Sequence, residues 1–85
     1  MKFTVSWFAS AEKRLAELWL AASDKAELSA ASDEIDRRLA TNPLGMGELR
    51  TAKIRYLFVP PLAVYYEVQL LDRLVVVRNV WRPPA

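Results

Sequence analysis

KIRYLFVPPLAVYYEVQLLDRLVVVRNVW, residues 53–81, is the stretch whose reading decides the fold. It divides into three apolar segments, Lys53–Val59, Leu62–Val68 and Leu74–Trp81. They are separated by Pro60-Pro61 and by turn residues around Leu71–Arg73. Each is rich in β-branched and aromatic residues and is too short for a helix of ordinary length, so each reads as a strand. In the first, Ile54, Tyr56 and Phe58 alternate with Lys53 and Arg55, which predicts an apolar buried face and a charged outer one. Two consecutive prolines cannot donate to a ladder, so Pro60-Pro61 forms the corner to the next strand. Tyr65 and Tyr66 are adjacent and must point to opposite faces, so at least one belongs to the core.

Upstream, Phe3, Val5 and Trp7 alternate with Lys2, Thr4 and Ser6, the pattern of a further strand with one buried face. The period changes from about Ser10. Ala11, Leu15, Leu18, Trp19 and Ala22 then recur at helical spacing, with Glu12, Lys13 and Glu17 off that face. Trp7 and Trp19 both read as packing residues. Ser23 or Asp24 supplies a side-chain oxygen to cap a second helix, and Asp24 to Glu27 has the capping-box offset. Leu28, Ala31, Ile35 and Leu39 form that helix's apolar stripe, and Thr41-Asn42-Pro43 ends it. Residues 44–51 hold both glycines of the chain and read as a loop.

The predicted fold class is therefore α+β, in the order β-α-α-β-β-β. It forms a single domain over residues 1–85, in which a helical hairpin packs on one face of a small, largely antiparallel sheet. The other face is expected to carry the charge. Residues 49–85 bring Arg50, Lys53, Arg55, Arg73, Arg78 and Arg82 against Glu67 and Asp72, whereas residues 1–48 hold six basic and eight acidic groups. The overall charge of +2 thus conceals a polarised molecule, and the basic half points to an anionic partner.

Composition excludes several chemistries. The chain has neither cysteine nor histidine. Disulfides, thiolate metal sites and nucleophile–histidine machinery are therefore impossible. No metal or organic cofactor is expected. No apolar run approaches the length of a membrane span and no signal-peptide pattern opens the chain, so a cytoplasmic protein is expected.

Several strings taken together resemble the RelE/ParE superfamily of bacterial toxins. They are the aromatic strand Phe3–Trp7, the hairpin ending Asp36-Arg37-Arg38-Leu39, and Asn42-Pro43 followed by Gly45-Met46-Gly47-Glu48-Leu49-Arg50. Further along come Ile54-Arg55, Leu62-Ala63-Val64-Tyr65-Tyr66-Glu67-Val68, and Asp72-Arg73-Leu74-Val75-Val76-Val77 leading to Val80-Trp81-Arg82. The resemblance implies the toxin of a toxin–antitoxin pair, with a cognate antitoxin as partner. RelE-like members cut mRNA on the ribosome, whereas ParE-like members poison DNA gyrase without a nuclease site.

Cleaving RNA through its own 2′-hydroxyl needs a base, a cation for the crowded phosphate and an acid for the leaving oxygen. The resemblance places Lys53 and Arg55 at the basic pair of RelE-like toxins, Glu48 near a catalytic carboxylate, and Arg82 near the basic residue that ends the last strand. Tyr65, Tyr66 or Trp81 would be available to stack a base. Two features depart from the nuclease pattern. The arginine expected early in the second of the later strands is replaced by Ala63, and Trp81-Arg82-Pro83-Pro84 offers no tyrosine or histidine as acid or base. The expectation is therefore a ParE-like toxin that binds its target. An mRNA endonuclease built on Glu48, Lys53, Arg55 and Arg82 is the alternative, and a silent antitoxin-binding member a third. Arg50, Lys53, Arg55, Arg78, Trp81 and Arg82 are the expected target- or antitoxin-binding residues. Arg78 and Arg82 share parity on the last strand, which predicts a basic face there as well.

Overall fold

The computed structural model describes residues 2–45, 47–51 and 53–84. The elements run β1 (Thr4–Trp7), α1 (Ala9–Ala21), α2 (Lys25–Thr41), β2 (Glu48–Leu49), β3 (Ile54–Val59), β4 (Leu62–Gln69) and β5 (Leu74–Trp81). One sheet holds the strands in the order β1-β5-β4-β3-β2. β1 lies parallel to β5 and every other pairing is antiparallel. The α+β architecture is as the sequence predicts, with one addition. Glu48-Leu49, expected in a loop, adds a two-residue edge strand to β3.

The helical hairpin covers one face. From α2 come Leu28, Ala31, Ile35 and Leu39, and from the sheet Leu57, Val59, Leu62, Val64, Tyr66, Val75, Val77 and Val80. From α1 only Ala11 is fully buried, with Leu15 and Leu18 packed against the cluster. Full burial of an Ile or Leu stabilises by about 1.5–3 kcal/mol, so α2 is the principal lid of the core. Trp19 departs from expectation. It stays 40% exposed at the mouth of the groove between the helices, where its indole N–H donates to Ser29 Oγ at 3.1 Å. Trp7 is half-buried and donates to Asp36 Oδ1 at 2.7 Å.

Cross-strand partners share a face, so the register identifies both sides of the sheet. Pro60-Pro61 makes a two-residue turn that pairs Val59 with Leu62, then Leu57 with Val64 and Arg55 with Tyr66. Arg55 therefore lies on the helix-covered face. Ile54, Tyr56 and Phe58 pair with Glu67, Tyr65 and Ala63 and occupy the open one. This inverts the predicted faces of β3. The charged outer face of the sequence reading is in fact aromatic.

Between β4 and β5 the register slips. Tyr66 pairs with Val77 and Tyr65 with Asn79, which leaves Arg78 unpaired in a β-bulge. Because of that extra residue, Val80 falls inward against Val64 while Trp81 falls on the open face beside Ala63. Gly47, at φ +78°, brings the chain close under the sheet. A Cβ there would stand 2.6 Å from the Tyr66 hydroxyl oxygen and 2.8 Å from the Tyr56 carbonyl oxygen, so no larger residue fits without displacing backbone. The Tyr66 O–H donates to the Pro43 carbonyl at 2.7 Å and fastens the loop to the core.

Candidate functional site on the open sheet face

The open face is built from adjacent strands. Tyr56 on β3, Tyr65 on β4 and Trp81 on β5 stand side by side. Their ring centroids are 6.1 Å apart for Tyr56–Tyr65, 5.8 Å for Tyr56–Trp81 and 4.7 Å for Tyr65–Trp81, all in tilted or edge arrangements. Such geometries suit the quadrupoles of the rings better than a face-to-face stack. Phe58 and Trp81 flank Ala63 from either side and cover it completely, although Ala63 belongs to the open face. Phe58 itself is 47% exposed.

The charges on this face are sparse and mixed. Glu48 pairs with Tyr56 in the register and so shares its face. Its carboxylate meets Arg50 at 3.5 Å, and the Arg50 guanidinium lies 4.8 Å from the centre of the Tyr56 ring. Glu67 lies on the same face and accepts from Gln69 Nε2 at 3.2 Å. An anionic partner would thus meet two carboxylates and one arginine here, beside three rings.

The sequence-predicted site residues are dispersed. Glu48, Arg50 and Trp81 come together around Tyr56. Lys53 is exposed in a bend ahead of β3. Arg55 faces the hairpin side, close enough to Tyr66 that its charge opposes the upward push of burial on that phenol. Arg78 sits in the bulge with its guanidinium 4.4 Å from the centre of the Phe8 ring, a cation–π contact. Arg82 turns to the helical side and donates to both carboxylate oxygens of Asp24, at 2.7 and 2.6 Å. Those bonds hold the Asp24 carboxyl below its ordinary 3.8. Lys53, Arg55, Arg78 and Arg82 do not join into one basic face. Two causes act together: the inverted phase of β3 and the bulge in β5. Met46, within the glycine loop, lies outside the described residues.

Alternation in the sequence places Tyr56 and Phe58 on the buried face, and neither stands out there as a site residue. The turn length was the available signal. A two-residue connection across Pro60-Pro61 places Val59 opposite Leu62, and the evident apolar parity of β4 then turns Tyr56 and Phe58 outward.

Comparisons with known proteins agree with this architecture. No protein-family profile matches the chain, and no curated protein matches it in sequence. Solved structures do. A chain of the RelBE2 toxin–antitoxin complex of Mycobacterium tuberculosis is 20% identical with a TM-score of 0.80, over 98% of this chain and 93% of that one. A chain of the chromosomal ParDE system of P. aeruginosa is 11% identical with a TM-score of 0.73, over 98% of both chains. The isolated RelE toxin of E. coli is 13% identical with a TM-score of 0.70, over 98% of this chain and 86% of that one. At these identities the likeness is one of fold. The chain shares the fold of these RelE and ParE structures.

Proposed function

We propose that the chain is the toxin of a toxin–antitoxin pair and that it acts by holding a macromolecular target rather than by cutting RNA. The fold is shared with structures of RelE and ParE toxin–antitoxin systems, which supports a cognate antitoxin as partner. Likeness of fold extends to both kinds, so the choice between them rests on side chains. One observation carries it: where a nuclease needs converging cations, the open face presents Phe58, Tyr65, Trp81 and Tyr56 over a buried Ala63. Arg55 lies on the opposite face and Arg82 is engaged by Asp24. Glu48, which shares the face of the rings, is exposed and ion-paired with Arg50. The pattern favoured is ParE-like, with DNA gyrase as the target and the cytoplasm as the place of action.

The test is to induce the chain alone in a bacterium and pulse-label DNA and protein synthesis over the first minutes. DNA synthesis should fall while translation continues. If protein synthesis falls first, the binding mode is wrong and the mRNA-cleaving reading takes its place. That second reading draws on the Tyr65–Trp81 pair, since exposed aromatics on a sheet can stack bases. If neither synthesis falls, the chain is a silent member that retains only antitoxin binding. Lys53→Ala combined with Arg55→Ala should leave toxicity unchanged under the binding reading and abolish it under the nuclease reading.

A further inference from the structure

Asp24 occupies the N-cap position of α2, yet its side chain makes no cap hydrogen bond. Its backbone carbonyl already accepts from the Leu28 N–H at 3.1 Å, as the first helical bond requires. The carboxylate instead accepts both arms of Arg82, a residue 58 positions away and the first beyond β5. An aspartate at this position ordinarily turns its oxygen onto the amides two and three residues ahead, here those of Ala26 and Glu27. Here the carboxylate serves Arg82 and makes no bond to those amides.

By general magnitudes the two uses of the carboxylate are of similar worth. A part-exposed ion pair contributes little, because screening and side-chain ordering offset its attraction. An N-cap bond recovers a comparable amount. The arrangement matters beyond α2 because Arg82 directly follows Trp81. The ion pair draws Arg82 to the helical side while Trp81 stands on the open face against Tyr65.

We propose that Asp24 is a two-position latch: bound to Arg82 it fixes the end of β5 and Trp81, and released it caps α2 in exchange. An anionic group that captures Arg82 would then loosen Trp81 without leaving α2 uncapped. By linkage, a ligand that displaces Trp81 on the open face would favour the capped state on the helical side. The latch couples the two sides of the molecule.

Residue-resolved amide hydrogen exchange on the wild type, Arg82→Ala, Asp24→Asn and Asp24→Ala tests this. In Arg82→Ala the amides of Ala26 and Glu27 should slow by about fivefold, the factor expected of an ordinary N-cap bond, while the Trp81 amide exchanges faster. Asp24→Asn, which can cap but cannot form the ion pair, should reproduce both changes. Asp24→Ala should quicken Trp81 with no slowing at Ala26 or Glu27. If those two amides exchange in Arg82→Ala as in the wild type, the carboxylate does not change partners and the latch is refuted. An unchanged Trp81 amide in both Arg82→Ala and Asp24→Asn refutes the coupling. Should Asp24→Ala fail to fold, the other two variants decide the matter alone.

Discussion

The two faces of the sheet are made from the same three strands and do opposite things. On the helical side Val64, Val75, Val77 and Val80 interlock with Ile35 and Leu39, all at 1% exposure or less. On the open side Tyr56, Tyr65 and Trp81 lean on one another and stay half-buried. The buried face uses compact aliphatic side chains, whose value lies in close packing. The open face uses large rings with polar edges, which keep apolar area accessible to a partner at little entropic cost. The difference separates what holds the protein together from what it offers to others.

Substitutions paired across the sheet should sharpen this division. The largest effect is expected from Ile35→Ala, which leaves a cavity beneath α2 and should cost about 3 kcal/mol in urea unfolding. Phe58→Ala on the open side should cost under about 1 kcal/mol. Equal losses would mean that the aromatic strip is a second core.

The adjacent tyrosines give a closer comparison. Tyr66→Phe removes the buried bond to the Pro43 carbonyl and should cost about 1–3 kcal/mol, whereas Tyr65→Phe should stay within about 0.5 kcal/mol. Burial raises the Tyr66 phenol above its ordinary 10.0, with Arg55 opposing in part. A raised folded-state value means that this stability is complete below pH 10 and is lost as pH rises through the folded value. Alkaline difference spectra should therefore show a late-ionising tyrosine in the wild type that Tyr66→Phe lacks.

The smallest effect belongs to the solvent side of α2. Hydrogen bonds from Arg37 and then Arg38 lower Glu34 from 4.5 to about 2. A depressed carboxylate contributes above pH 4.5, and that contribution fades as pH falls toward 2. The group is part-exposed and screened by solvent, so the acid limb of the melting temperature should steepen only slightly between these values, and Glu34→Gln should remove that increment.

Much of the architecture was legible in the sequence. Turn chemistry at Pro60-Pro61 and around Leu71–Arg73 marks the strands, and Leu28, Ala31, Ile35 and Leu39 mark the α2 stripe. Alternation, however, reports a period and not a phase. In β3 alternation with the charged Lys53 and Arg55 points Ile54, Tyr56 and Phe58 inward, whereas the hairpin register turns Leu57 and Val59 inward with Arg55 beside them. Arg55 tolerates that position because it pairs with Leu49 at the sheet's edge, where a half-buried side chain keeps access to water. The Asp24–Arg82 pair was invisible for a different reason. Local sequence showed a capping aspartate, and its actual partner lies 58 residues away.

The bulge at Arg78 has a consequence for how the length of this chain can vary. Arg78 is the one residue of β5 outside the ladder, so deleting it would leave Asn79, Val80 and Trp81 opposite Tyr65, Val64 and Ala63, each on its present face. A single in-frame codon can thus be lost there with core and aromatic face kept. Insertions and deletions among relatives should accordingly gather at the turn of residues 70–73, where Leu71 is fully exposed, and at the bulge.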